Sequence, residues 1–193
     1  TIRLACAAAV GFAVMPLTSL AQEAGQPPGP MTSRDQEQIY RHTIPTDFTT
    51  EIFVADEEGA ARAQQILDLY EILATDPTIE AVSQFVSPDY IQHSSMIPDG
   101  PEPLAMLFSI SVAQYPVAID VHRIAVVGDF GMAHVNFRNL DTDDPNDLGI
   151  AAVDMYRWND EGMIVEHWDV LQDVPVYSAN TNGMFLPLYD GGE

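Results

Sequence analysis

The chain has 193 residues, with 29 acidic and 7 basic side chains and a formal charge of −22. All the basic side chains are arginines, lysine is absent, and Cys6 is the single cysteine. These absences exclude Schiff-base and pyridoxal phosphate chemistry, phosphate-loop lysines, disulfides within the chain, and cysteine-ligated metal beyond residue 6. So acidic a chain also repels DNA and RNA, whose binding rests on Lys and Arg contacts to phosphate, and no nucleic-acid partner is expected. The acids are scattered rather than massed in a tail, which reads as solubility. A hydrophobic content of 47% separates the chain from disordered acidic proteins and calls for a packed core.

In chain order, Arg3 precedes an apolar run from Leu4 to Leu17, and Ser19 and Ala21 form a small-residue cleavage pattern before Gln22. Residues 1–21 therefore read as a signal peptide, and the mature chain is expected to be secreted or periplasmic. The run is short for a span of roughly 20 residues and carries Pro16 near its end, so no membrane span is expected in the mature chain. Residues 22–55 read as a linker and N-terminal extension, opening on the Pro/Gly-rich stretch QEAGQPPGP. A domain is expected over 56–175, followed by a tail at 176–193.

Asp56 is a helix N-cap with Glu57 and Glu58 in the first turn. Ala63, Ile66, Leu67, Tyr70 and Leu73 then recur at helical spacing, which predicts a helix over 57–74. Asp76-Pro77 opens a second helix carrying Ile79, Val82, Phe85 and Val86. Tyr90 to His93 is short and β-like. Asp99-Gly100 is a turn, and Pro101 or Pro103 starts a third helix with Leu104, Leu107, Phe108 and Val112.

From Val117 the period changes to two, predicting strands at 117–127, 130–138, 149–158 and 163–172. The acidic loop 141–147 reads as a solvated hairpin connection, because Pro145 and the lack of a closing glutamate spoil a calcium loop. Helices first and strands afterwards imply an α+β fold, with helices on one face of a curved, mostly antiparallel sheet.

Alternation sorts the polar side chains by face. Ile150, Ala152, Asp154 and Tyr156 share one face of their strand, and Val165, His167, Asp169 and Leu171 share one face of the next. Met132, His134, Asn136 and Arg138 line up on the strand before. A carboxylate among apolar neighbours loses water, which favours its neutral form and makes it a candidate for proton transfer. Asp154, Asp169, His134 and His167 are thus the catalytic candidates, with His93, Tyr90, Tyr156 and Trp168 around the substrate. His122 and His42 read as surface residues, and Arg157 as the cross-strand partner of Glu166. His93, His134, His167 and Asp169 are a conceivable two-histidine, one-carboxylate set, but nothing has helical metal-ligand spacing and no metal is expected. Both faces of strand 149–158 are largely apolar, so the face away from the pocket is expected to be covered in a homodimer.

The segments Tyr90-Ile-Gln-His93, Asp99-Gly100, Ala152-Val-Asp-Met-Tyr-Arg157 and Gly162-Met-Ile-Val-Glu-His-Trp-Asp-Val-Leu-Gln172 resemble the SnoaL-like polyketide cyclases of the nuclear transport factor two-like superfamily. The resemblance covers about residues 58–175. It implies a cone-shaped α+β barrel with a pocket in the cone, and cofactor-free acid/base catalysis of an intramolecular aldol condensation. By motif position Asp169 becomes the general base, and Asp154 stands where the family usually has a histidine. The turn Asp160-Glu161-Gly162 is one residue longer, and a register slip would bring Trp168 to the pocket instead of Asp169. A small carbonyl substrate is expected. The alternatives are a module that binds a small apolar ligand without chemistry, and a dimeric interaction domain whose cone is filled by its own side chains. The tail, with Tyr177, Phe185 and Tyr189, is suited to cover either the pocket mouth or a partner subunit.

Overall fold

The computed structural model describes residues 40–41, 44–45, 47–180 and 182–185. They belong to one unit, residues 39–193; the expected signal peptide, most of the linker and His42 lie outside the described residues. Among the described residues, eight strands and three helices occur in the order β1 (Tyr40–Arg41), β2 (Glu51–Val54), α1 (Glu57–Thr75), α2 (Ile79–Val82), β3 (Val86–Gln92), α3 (Pro101–Val112), β4 (Ala118–Val127), β5 (Phe130–Arg138), β6 (Ile150–Trp158), β7 (Ile164–Asp173) and β8 (Tyr177–Ser178).

The long helix forms where the spacing predicts it. The Asp56 carboxylate accepts the Gly59 backbone N–H at 2.8 Å and caps the first turn. Ala63, Ile66, Leu69, Tyr70 and Leu73 are buried along one stripe. The second helix is shorter than expected. Thr78 caps it, and it ends after Val82, because Val86 and Tyr90 are buried as parts of β3 instead. The third helix starts at Pro101, with both prolines in the first turn, where a missing N–H costs nothing.

Six strands form one open mixed sheet in the order β2-β4-β5-β6-β7-β3. The β4-β5, β5-β6 and β6-β7 pairings are antiparallel. The two edge strands, β2 on β4 and β3 on β7, are parallel. The fold is therefore α+β as expected, while the sheet stays open between two edges and does not close into a barrel. The β3 edge carries Pro88, which has no N–H to give a ladder. A two-stranded ribbon of β1 and β8 lies apart from this sheet.

The core lies between α1, α3 and one face of the sheet. Ile66, Leu69 and Tyr70 meet Ile124, Val135, Ala152 and Tyr156 there, all buried. Trp158 closes the core beside α1, its indole N–H donating to Gln65. In the acidic loop the carboxylates satisfy the loop itself: Asp147 accepts the Asn139 N–H at 2.6 Å and the Gly149 N–H at 3.1 Å. Gly149 (φ +85°) turns the chain into β6, and a Cβ there would sit 2.3 Å from Asn136 Oδ1.

The opposite sheet face is partly covered by the chain's own tail. Phe185, Ala151 and Val174 are buried together, with Ile44, Leu148 and Met184 packed against them. Met184 and Phe185 of the tail thus lie on the outer face of the sheet. No helix among the described residues is long and apolar enough to cross a membrane.

Candidate active site

A cavity of about 110 Å³ opens between the helices and the inner face of the sheet. Its walls are apolar: Leu69 and Leu73 from α1, Leu104 and Phe108 from α3, Phe137 from β5 and Ile150 from β6. The exposed side chains Met96, Leu107 and Leu171 mark its mouth. Into this apolar space project Asp154, Tyr156, His167 and Asp169, with Tyr70 and Tyr90 beside them.

The register explains the convergence. Asp154 pairs with Asp169 across β6 and β7, and Tyr156 pairs with His167, so all four side chains share one face. The longer turn is absorbed by a register shift between Arg157 and Trp158, which pair with Glu166 and Ile164 in turn. Val165 is the extra residue, and Ile164 is the one fully buried. Asp169 consequently stays on the cavity face.

Asp154 is 3% exposed. Its Oδ2 accepts a 2.5 Å hydrogen bond from the Tyr70 hydroxyl, which in turn accepts one from the Tyr156 hydroxyl at 2.7 Å. Its Oδ1 faces His167 Nε2 at 3.7 Å. Burial, reinforced by the Asp154 charge, pushes the Tyr70, Tyr156 and Tyr90 phenols above their ordinary values. These hydroxyls therefore remain protonated; those of Tyr70 and Tyr156 donate, while that of Tyr90 accepts from the Gln92 amide. Asp169 makes no hydrogen bond or ion pair with the described residues and is the open carboxylate of the cavity.

Three expected site residues lie elsewhere. His134 is on the other face of the sheet, because Ala133, Val135 and Phe137 occupy the inward positions of β5. There its Nδ1 meets Arg123 at 3.1 Å and its ring stacks on Phe185. Trp168, lying between His167 and Asp169 in sequence, also points outward. Its ring stacks flat on His93, with centroids 4.6 Å apart. His93 follows it to the outer face, where Nε2 contacts Glu166 at 2.9 Å. Arg157 pairs with Glu166 as expected, and the hydrogen bonds from His93 and Arg157 hold that carboxyl below its ordinary value. His93, His134, His167 and Asp169 are thus divided between two faces and cannot form one metal site. Among the described residues no group of three His, Cys, Asp or Glu side chains is placed to hold a metal.

His122 is also misplaced by the sequence reading. It is buried, sandwiched between Phe48 at 4.3 Å and Phe185 at 4.6 Å, with no partner for Nε2. Burial lowers its pKa to about 4. Two site residues escaped the sequence reading altogether. Tyr70 passed as an ordinary core position of α1. Gln92, two residues beyond Tyr90 on β3, was overshadowed by its neighbour His93, although the period-two spacing from Tyr90 carried the signal.

No family model matches the chain, and no curated protein is significantly similar to it in sequence. Solved structures do match. A Bacillus cereus protein assigned as a polyketide cyclase superposes with a TM-score of 0.52 at 20% identity, over 68% of this chain and 91% of that one. The fold is SnoaL-like. An isomerase assigned to the SnoaL-like family in Agrobacterium tumefaciens covers 61% of this chain and 99% of its own, at 16% identity and a TM-score of 0.47. A steroid delta-isomerase from Pseudomonas aeruginosa covers 65% of this chain and 84% of its own, at 16% identity and a TM-score of 0.43. At such identities the likeness is one of architecture. In this SnoaL-like fold the chemistry has to be read from the cavity itself.

Proposed function

We propose that this protein is a cofactor-free acid/base enzyme acting on a small carbonyl compound. The observation that carries the reading is the convergence of Asp154, His167 and Asp169 on an otherwise apolar cavity. Asp169 removes a proton from the carbon next to the carbonyl, and the electron pair moves onto the carbonyl oxygen. His167 hydrogen-bonds that developing oxyanion, while Asp154, steadied by Tyr70, balances the histidine's charge. The enolate then takes the proton back at another carbon, an isomerisation, or attacks a second carbonyl of the same molecule, an aldol cyclisation. With lysine absent, neither route passes through an imine.

Cavity size limits the substrate. At about 110 Å³ the volume is somewhat below that of an engineered apolar cavity of about 150 Å³ that takes up benzene, which points to substrates of no more than one ring. Deuterium exchange into single-ring ketones in heavy water, followed by NMR, tests the reading. Exchange accelerated well above the buffer rate supports it; a ketone that binds in the cavity without accelerated exchange marks a ligand-binding module instead.

Two further parts of the proposal concern the whole molecule. The protein is exported, with residues 1–21 removed, and it dimerises through the part of the outer sheet face that the tail leaves open. That part exposes Ile91, Phe130, Met132 and Val170 around the Trp168 ring, an apolar surface favoured to pair with a second copy. Intact mass and sedimentation of the exported protein check both. The expected result is an N-terminus at Gln22 and a mass of two chains; a retained leader or a monomer at all concentrations contradicts the respective part.

A further inference from the structure

Gln92 ends β3, and its side chain meets three groups of the site. Its Oε1 accepts the backbone N–H of Ser94 at 3.0 Å, and the same oxygen lies 2.8 Å from His167 Nδ1. Its Nε2 faces the Tyr90 hydroxyl at 3.3 Å. The Ser94 contact settles the orientation of the amide, because a backbone N–H can only donate and must meet the oxygen. An amide oxygen, in turn, can only accept, so the hydrogen of that contact belongs to His167 Nδ1. The other ring nitrogen, Nε2, is the one turned toward Asp154 Oδ1.

The backbone holds this arrangement in place. The Gln92 N–H donates to Asp99 Oδ1 at 2.8 Å, and Gly100 N–H donates to the Tyr90 carbonyl at 2.9 Å, tying the end of β3 to the turn before α3. Gln92 is paired with His167 in the parallel β3-β7 ladder, so the two side chains are brought together by register.

From this geometry we propose that Gln92 is a positioning residue that fixes His167 as its Nδ1–H tautomer, leaving Nε2 as the atom that exchanges a proton with the Asp154 carboxylate and the bound substrate. A proton on Nε2 gives an imidazolium facing Asp154, which donates to the substrate oxygen; its loss leaves the neutral ring with Nδ1–H still held by Gln92. This deepens the acid/base reading above and rests on it for the role of Nε2, but the tautomer itself is a property of the free protein.

Nitrogen-15 NMR of the imidazoles across a pH titration tests it. In the wild-type protein Nδ1 of His167 is expected to stay protonated throughout, with only Nε2 changing between protonated and unprotonated forms. In Gln92→Leu the neutral ring moves toward the Nε2–H tautomer, and exchange into a ring-sized ketone falls at least tenfold in kcat with little change in KM. Gln92→Glu keeps an acceptor at that place, so Nδ1–H persists, and the alkaline limb of the rate moves to higher pH, because a carboxylate favours the imidazolium. A wild-type Nδ1 that deprotonates in the neutral ring overturns the proposal, as does a folded Gln92→Leu protein with unchanged tautomer and rate. Should Gln92→Leu fail to fold, the wild-type and Gln92→Glu spectra decide. A correct tautomer without any exchange activity would sink the enzymatic reading and leave the lock standing.

Discussion

Substituting Asp169→Asn is expected to lower deuterium exchange into ring-sized ketones by about 100- to 10,000-fold, the range that a positioned general base contributes. The change is nearly isosteric, and the carboxylate makes no hydrogen bond or ion pair with the described residues. Nothing in the surrounding packing depends on its charge. Thermal denaturation should therefore give a Tm close to that of the wild type, since a carboxylate without a partner among the described residues is replaced by an amide of the same shape. Asp154 differs in this respect. Its two oxygens are engaged by Tyr70 and face His167, so a loss of activity at Asp154 mixes chemistry with structure. Asp169 separates the two, and retention of wild-type exchange in Asp169→Asn would remove it from the role of base.

The second large effect lies on the other side of the sheet. His122 has an ordinary pKa near 6.5 in the unfolded chain and about 4 in the folded protein. Its neutral form is the one the fold accepts, because protonation would charge a ring enclosed by Phe48 and Phe185 with Nε2 unpartnered. The stability linked to this shift is fully present above pH 6.5 and is lost as the pH falls toward 4, a total of about 3 kcal/mol. Asp120 opposes the shift, while His134, Arg123 and Arg138 add to it. Falling pH also neutralises some of the 29 acidic side chains and relieves their mutual repulsion, which works in the opposite direction. The comparison that isolates His122 is therefore with His122→Phe, whose ring suits the same sandwich. Urea denaturation at pH 7 and pH 4.5 should show the wild type losing more stability than the variant, with the difference about 2 kcal/mol, most of the total. Equal losses in the two proteins would contradict the assignment.

Sequence and structure part company at identifiable places. The long helix and the four C-terminal strands were legible because each carries a sustained period, 3.6 along Ala63, Ile66 and Leu73 and two along Ile150 to Trp158. The four-residue strand β2 is too short to carry a period and forms by pairing with β4 far along the chain, while the second helix was legible at its start but ends at Val82, because Val86 joins β3. The inward face of β6 and β7 was readable because Asp154, His167 and Asp169 share one parity with Ala152, Tyr156 and Leu171, although both parities of β6 are largely apolar. On β5 both parities hold apolar side chains, and Ala133, Val135 and Phe137 took the core, which turned His134 outward. His122 could not be placed without the tail that folds over it. The Gln92–His167 contact joins residues 75 positions apart and depends on a parallel edge pairing that no local pattern announces.

The measurement that bears most directly on the central claim is a crystal structure of the protein with a phenol bound, since a phenol is flat, ring-sized and carries its oxygen as an enolate does. The account predicts the ring between Leu69, Phe108 and Phe137, its oxygen within about 2.6–3.2 Å of His167 Nε2, and an adjacent ring carbon facing the Asp169 carboxylate. A phenol seated in that cavity with its oxygen directed away from His167, or bound only at the outer sheet face, would contradict it.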